Sequence, residues 1–319
     1  MTADKPLLIV VGPTASGKSA LALRLAAETH GEIISADSVQ IYRHFDLGSG
    51  KPNAQELSRV RHHAIDSHEP LDTVDAAGWA QIAEDAIQDI RARGKLPIVC
   101  GGSFLWVRAL MYGLAPAPPG SPELREEHAA FIEQKGRAAL HERLREIDPA
   151  AHERLAPNDF VRVSRALEVF ELSGKSISAW QKEHGFRTLK RPVRLIGIQH
   201  EPDHLSERIA QRIEDMFDHG WQAEVQSLLD RGLGESRAMG AVGYRQIAQH
   251  LGYEFAKRAG AAPEAGPADH HRGDRPLSEE ELRAKIHRAT RTFSKRQRTW
   301  LKDETIEWIR PADVDQFAL

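Results

Sequence analysis

Between Gly12 and Ser19 the chain reads GPTASGKS, which meets G-x-x-x-x-G-K-[ST] at every fixed position. Residues of these types at this spacing build an anion cradle. The glycines let backbone N–H groups converge, Lys18 adds a positive charge, and a following helix adds the partial charge of its N-terminus. The loop predicts a polyphosphate held by Gly12, Pro13, Thr14, Ala15, Ser16, Gly17, Lys18 and Ser19, without saying which one. A second candidate is Asp37, the acid that ends the apolar run EIISAD. A carboxylate there can ligate Mg2+ or take a proton from a nucleophile. The plainer alternative is a loop aspartate capping a helix. The third is GGS at 101–103, where Ser103 offers a hydroxyl and a backbone N–H.

These groups act together only if the elements before them end at one place. Apolar runs at Leu7–Val11, Glu32–Ser35, Leu96–Cys100 and Val193–Gln199 read as strands, with helical patterns at Ala20–Ala27 and Ala76–Arg93. Strands alternating with helices predict a parallel sheet, whose ligands bind beyond the carboxyl ends of the strands. The Pro/Gly-rich APAPPGSP from Ala115 marks a boundary. The charged stretch from Glu123 to about His184 is helical in character, after which VRLIGIQ returns the chain to the sheet. The division expected is a core of residues 1–116 and 189–319 with an all-helical insertion at 117–188. Leu205, Ile209, Ile213, Met216 and Phe217 recur at helical spacing, as do Trp221, Val225, Leu228 and Leu229. A last helix is expected from about Ser278 to Lys302. The Ala/Gly/Pro-rich stretch 259–276, with His270 and His271, reads as a surface loop.

The chain carries one cysteine, Cys100, which excludes a disulfide framework and a cysteine zinc cluster. The start MTADKP has no apolar signal region and no run reaches membrane-spanning length, so a cytoplasmic, membrane-free protein is expected. A net charge of −3 makes the whole chain no polycation, and nucleic acid would need a local basic patch. A phosphoryl-transfer enzyme with this loop normally ends a hydrophobic strand in an aspartate that holds Mg2+. Here LPIVCGGS ends in glycines and Ser103, and RLIGIQH ends in Gln199 and His200. Only Asp37 stands at such a place.

GPTASGKS, SADSVQIYR with DLGSGKP after it, HHAIDSHEP, GGSFLWVRAL, NDFVRVSRALEVFELSGK, GYRQ and KRQRTWL follow one another across most of residues 7–302. Together they resemble the tRNA dimethylallyltransferases. The resemblance implies a P-loop NTPase-like α/β core with a helical insertion. It implies that the cradle holds the diphosphate of dimethylallyl diphosphate, and that the acceptor is N6 of the adenosine 3′ of a tRNA anticodon. No γ-phosphoryl group moves in such a reaction, which accounts for the absent aspartate. Asp37 would be the base, Ser103 an orienting group in a place the family usually gives to threonine, and Arg208 a further cation at the diphosphate. Mg2+ would sit on Ser19.

The resemblance also implies RNA contacts at Asp37, Ser38, Val39 and Gln40, at Val161, Arg162, Val163, Ser164 and Arg165, and at Gly243, Tyr244 and Arg245. Val161 and Gly240 depart from the family pattern, so Arg162, Arg165 and Arg245 carry more of this expectation. Trp106 replaces a tyrosine and reads as core. The last helix supports RNA independently: from Leu282 to Lys302 it holds eight Lys/Arg residues and no acid. Lys295, Arg296, Gln297 and Arg298 are the expected contacts, opposite a packing stripe of Leu282, Ile286, Ala289, Phe293, Trp300 and Leu301. His62, His63 and His68 read as structural. A monomer acting on a tRNA anticodon arm is the expectation. The competing readings are a small-molecule kinase, a non-catalytic RNA-binding switch and a transferase using free AMP.

Overall fold

The computed structural model describes residues 6–255 and 277–319. The stretch 259–276, with His270 and His271, lies outside the described residues. Six strands form one parallel sheet: β1 (Leu7–Val11), β2 (Glu32–Ala36), β3 (His62–His63), β4 (Pro97–Gly101), β5 (Val193–Ile198) and β6 (Ile306–Ile309), in the order β3-β2-β4-β1-β5-β6. This is the P-loop NTPase-like arrangement, with helices flanking the sheet. The central strands are apolar along their length because both of their faces are covered. On one face Leu8, Val10, Ile98, Cys100, Ile196 and Ile198 pack against Leu21, Ala22, Leu25 and Ala26 of the helix Lys18–Thr29. The helices Ala76–Ala92 and Phe104–Tyr112 pack on each other and on β2. Between them Trp79 and Trp106 stack with centroids 5.3 Å apart, and Trp79 Nε1–H donates to Ser35 C=O at 2.9 Å. Trp106 is core.

The register decides where chemistry can happen. Val11 lies level with Gly101 on one side and Gly197 on the other, and Ala36 lies level with Gly101. Gly12, Asp37 and Gly102 are therefore the next residues along three parallel strands, all leaving the sheet at the same edge.

The described chain clusters into two units. The first comprises residues 6–113, 189–254 and 277–319, and the second residues 114–188 with residue 255. The second is all helix, from Pro122–Lys135 to Ile177–His184, around Leu140, Leu144, Leu155, Phe160, Val163 and Leu167. Inside it the buried Glu168 accepts from Ser121 N–H at 2.7 Å and from Arg165 at 2.6 Å.

Two edge strands, β3 and β6, are absent from the sequence expectation because each is short and bears polar residues. β3 is made by the His62–His63 pair. His63 Nε2 lies 2.7 Å from Glu32 Oε2, and Arg93 and Lys95 donate to the same carboxylate. The histidines serve the sheet edge. Glu32 is 1% exposed, and the Arg93 hydrogen bonds, aided by Lys95 and His63, hold its carboxyl far below the usual range against the opposing effect of burial. A depressed carboxylate contributes stability that is complete above its unfolded value and is lost as pH falls through its folded value. Glu32→Ala is expected to cost about 2 kcal/mol at neutral pH, because the cations lose their buried partner while still reaching solvent. Urea unfolding of the variant should also weaken less than the wild type as pH falls below about 4.5.

Candidate functional site

The phosphate loop curls through two left-handed residues, Ala15 at φ 63° and Gly17 at φ 88°. Gly17 is the N-cap of the helix Lys18–Thr29, and no side chain caps that helix. Its first-turn N–H groups are left for an anion. Lys18 folds back so that Nζ donates to Pro13 C=O at 3.3 Å. His200, just past β5, lies with Nε2 2.8 Å from Ser16 C=O and braces the loop from behind. Burial lowers the Lys18 pKa, and the positive charge of Arg212 lowers it further, while Cys100 and Asp37 act the other way. Cys100 lies under the loop with Sγ 3.7 Å from Lys18 C=O, and burial raises its pKa to about 11. It is an inert packing residue, since the thiolate is the reactive form.

Asp37 leaves β2 at the mouth of this loop. Its Oδ1 accepts from Val39 N–H at 2.9 Å and Gln40 N–H at 3.3 Å, so the carboxylate is held by its own turn. Oδ2 makes no hydrogen bond among the described residues. Ser103 joins from β4: its N–H donates to Ala36 C=O and its hydroxyl accepts from Ser38 N–H, both at 3.1 Å. The cradle, Asp37 and Ser103 thus share one edge of the sheet, and Lys18 and Asp37 are close enough for their charges to interact.

Arg208, on the helix Pro202–Asp218, is exposed at the loop and donates from Nε to Ala15 C=O at 2.8 Å. One turn on, Arg212 interacts electrostatically with both Lys18 and Asp37, and burial lowers its pKa. Its Nη2 donates to Ser49 C=O at 3.4 Å, in a loop that Gln40 also holds through Ser49 and Gly50. The sequence reading passed over Arg212. The signal was present: residues four apart on an amphipathic helix share a face. Three cations around N–H groups left unbonded among the described residues, beside one fixed carboxylate, form an arrangement suited to a polyanion and to removing a proton next to it.

The family model described as IPP transferase matches residues 40–304. The chain belongs to the IPP transferase family. It is an enzyme of the prenyltransferase type, and the kinase and free-AMP readings gain no support. It is 52% identical over 303 residues to the tRNA dimethylallyltransferase of Sorangium cellulosum, covering 95% of this chain and 90% of that one. The tRNA dimethylallyltransferase of Geobacter sulfurreducens is 40% identical, covering 98% and 94%. Among solved structures, tRNA delta(2)-isopentenylpyrophosphate transferase from Staphylococcus epidermidis aligns with a TM-score of 0.64 and 31% identity over 98% of this chain and 95% of that one. A eukaryotic dimethylallyltransferase acting on tRNA shares the fold, with a TM-score of 0.77 at 24% identity over 98% and 75%.

In this IPP transferase several residues expected at RNA are committed elsewhere. Tyr244 is buried between Phe45 and Trp221, and its hydroxyl donates to Glu224 at 2.6 Å. Gly243 is glycine because φ is 91° and a Cβ would meet the Trp221 ring at 2.0 Å. Glu224 also accepts the N–H groups of Asp46 and Leu47, so GYR supports the DLGSGKP loop from below. Val163 belongs to the core of the helical unit, and the buried Ser164 hydroxyl lies 2.9 Å from His128 Nδ1. Arg165 is held inside that unit by Glu168 and Pro118 C=O. Val161 and Arg162 are exposed, and Arg162 Nε donates to Asp159 at 2.6 Å. Ser38 and Val39 are half-buried at the Asp37 turn, and Arg245 is half-buried on the helix Tyr244–His250.

On the C-terminal helix Glu279–Leu301, Lys295, Arg296 and Arg298 are exposed, as expected. The packing stripe differs. Ser294 and Gln297 are buried while Phe293 and Trp300 are exposed, because the face turned inward runs Leu282, Ile286, Ala289, Ser294, Gln297, Leu301. Gln297 is therefore an interior residue. Arg212→Met is expected to weaken binding of inorganic pyrophosphate by about tenfold or more, the loss of one charge-assisted contact. Calorimetry with wild type and variant checks this, and equal affinities would leave Arg212 as a tether for the Ser49 loop alone.

Proposed function

We propose that the chain transfers the dimethylallyl group of dimethylallyl diphosphate to N6 of the adenosine 3′ of a tRNA anticodon. The observation that carries this reading is the meeting of a cation-lined diphosphate cradle with the fixed carboxylate of Asp37 at one sheet edge. The N6 lone pair forms the new bond to C1 as the C1–O bond breaks. The electron pair leaves with diphosphate, where negative charge gathers. Lys18, Arg208, Arg212 and the N–H groups of the loop stand where that charge develops, which is the arrangement that lowers such a barrier. Asp37 takes the proton that N6 gives up, through the oxygen its turn leaves unused. Ser103 holds the Asp37 turn through Ser38 and so aligns the base.

Ser19 offers an exposed hydroxyl in the first turn of the loop helix. Such a hard, neutral oxygen suits Mg2+, which takes few protein ligands and completes its shell with phosphate oxygens and water. Bound there, Mg2+ would supply positive charge to the diphosphate. The acceptor base must leave its stack to reach a recessed site, at a cost of a few kcal/mol. Phosphate contacts from Lys295, Arg296 and Arg298 offset that cost. They account for RNA binding by a chain of net charge −3.

Radiolabelled dimethylallyl diphosphate, Mg2+ and unmodified tRNA incubated with the protein should give labelled RNA; ADP release with a small acceptor and no labelled RNA would refute the reading. Asp37→Asn keeps an acceptor for the Val39 and Gln40 N–H groups and removes the base. Its kcat should fall roughly 100- to 10,000-fold with tRNA affinity intact, and unchanged turnover would remove Asp37 from the chemistry. Reversing Arg291, Lys295 and Arg298 to Glu should weaken tRNA binding and flatten its dependence on salt in a filter-binding titration.

A further inference from the structure

Gln297 stands within the most basic stretch of the chain, between Arg296 and Arg298, yet it is only 6% exposed. Both ends of its amide are used. Oε1 accepts from Thr14 N–H at 2.9 Å, and Nε2 donates to Gly102 C=O at 3.0 Å. Thr14 is the third residue of the phosphate loop. Gly102 precedes Ser103, whose hydroxyl accepts the N–H next to Asp37. One side chain therefore joins two loops that lie 283 and 195 residues away in sequence. The fit is close: a Cβ on residue 102 would fall 2.4 Å from Gln297 Nε2, so only glycine there admits the amide undisturbed.

A buried glutamine with both ends satisfied is ordinarily a packing solution, and its amide would serve as well against any two backbone groups. These two backbone groups are not arbitrary. By taking the Thr14 N–H, Gln297 fixes the entry of the phosphate loop. The curl through Ala15 and Gly17 then aims the N–H groups that follow it. By donating to Gly102 it sets the same loop against the turn that carries Ser103. The basic residues on either side of it, turned about 100° away along the helix, are exposed.

We propose that Gln297 is a positioning residue for the anion cradle, holding the phosphate loop in register with Ser103 and Asp37, and that it is not an RNA contact. The inference rests on the diphosphate reading of the cradle. Gln297→Met keeps length and loses both hydrogen bonds. Calorimetry with inorganic pyrophosphate should show affinity about tenfold lower, with KM for dimethylallyl diphosphate raised to match. Affinity for tRNA should stay at the wild-type value. Leaving the Thr14 N–H and Gly102 C=O unpaired also lowers the melting temperature, so the pyrophosphate loss should persist at temperatures where the variant is fully folded. Gly102→Ala reaches the same amide from the other side by pushing it away. It should reproduce this pattern, and adding it to Gln297→Met should cost little more, since both act through one contact.

Weaker tRNA binding with unchanged pyrophosphate affinity would overturn the proposal in favour of an RNA contact. Unchanged affinities for both ligands, or losses that only follow a lower melting temperature, would return Gln297 to packing. If Gln297→Met does not fold, Gly102→Ala carries the test. A wild-type protein that binds pyrophosphate but never labels RNA refutes prenyl transfer and leaves this comparison standing. One that binds no pyrophosphate refutes both.

Discussion

Burial lowers the pKa of both Lys18 and Arg212, and the charge of Arg212 lowers that of Lys18 further. Holding like charges together in a low-dielectric recess is unfavourable until an anion arrives. The surrounding structure exists to impose that crowding. The N–H groups at the start of the loop helix point into the same space, uncapped, and Arg208 lies across the loop at Ala15. Such an arrangement costs stability in the free protein and favours a state in which negative charge is concentrated. A leaving diphosphate is such a state, because its charge rises as the bond to carbon breaks.

The cradle can keep this shape because it is braced from several directions by protein groups. His200 holds Ser16, Gln297 holds Thr14, and the Asp37 turn closes on its own carboxylate. Gln40 and Arg212 both reach Ser49, while Glu224 collects the N–H groups of the preceding residues and the Tyr244 hydroxyl. The GYR segment illustrates the division of labour. Its glycine and tyrosine are buried beneath the loop they support, so motif residues close to a site need not face it. The basic helix shows the same economy within one turn: Arg296 and Arg298 face solvent, and the residue between them faces the cradle.

Much of the fold was legible because it is written in local pattern. The apolar runs of β1, β2, β4 and β5 stand out since a parallel sheet buries both faces, and the loop Gly12–Ser19 carries its own signature. The edge strands β3 and β6 were missed because pairing on one side requires little hydrophobicity, and His62–His63 gains its place from the ion pairs around Glu32. Arg212 was passed over, and Gln297 taken for an RNA contact, for a related reason. A helical arginine or glutamine looks solvated in one dimension, and only the neighbour across the fold reveals otherwise.

Types and spacings along the chain determined the anion loop, the apolar strands, the helical segment beyond residue 114 and the concentration of positive charge near the C-terminus, since each depends on residues close in sequence. The parallel strands already placed Asp37 and Ser103 near that loop; tertiary structure decided how closely they meet it, and it alone brought in Arg212 and Gln297. Their meeting depends on strand order and register, which align Val11, Ala36 and Gly101 at one level. Strand order and register are set by packing between segments far apart in the chain, which no local pattern encodes.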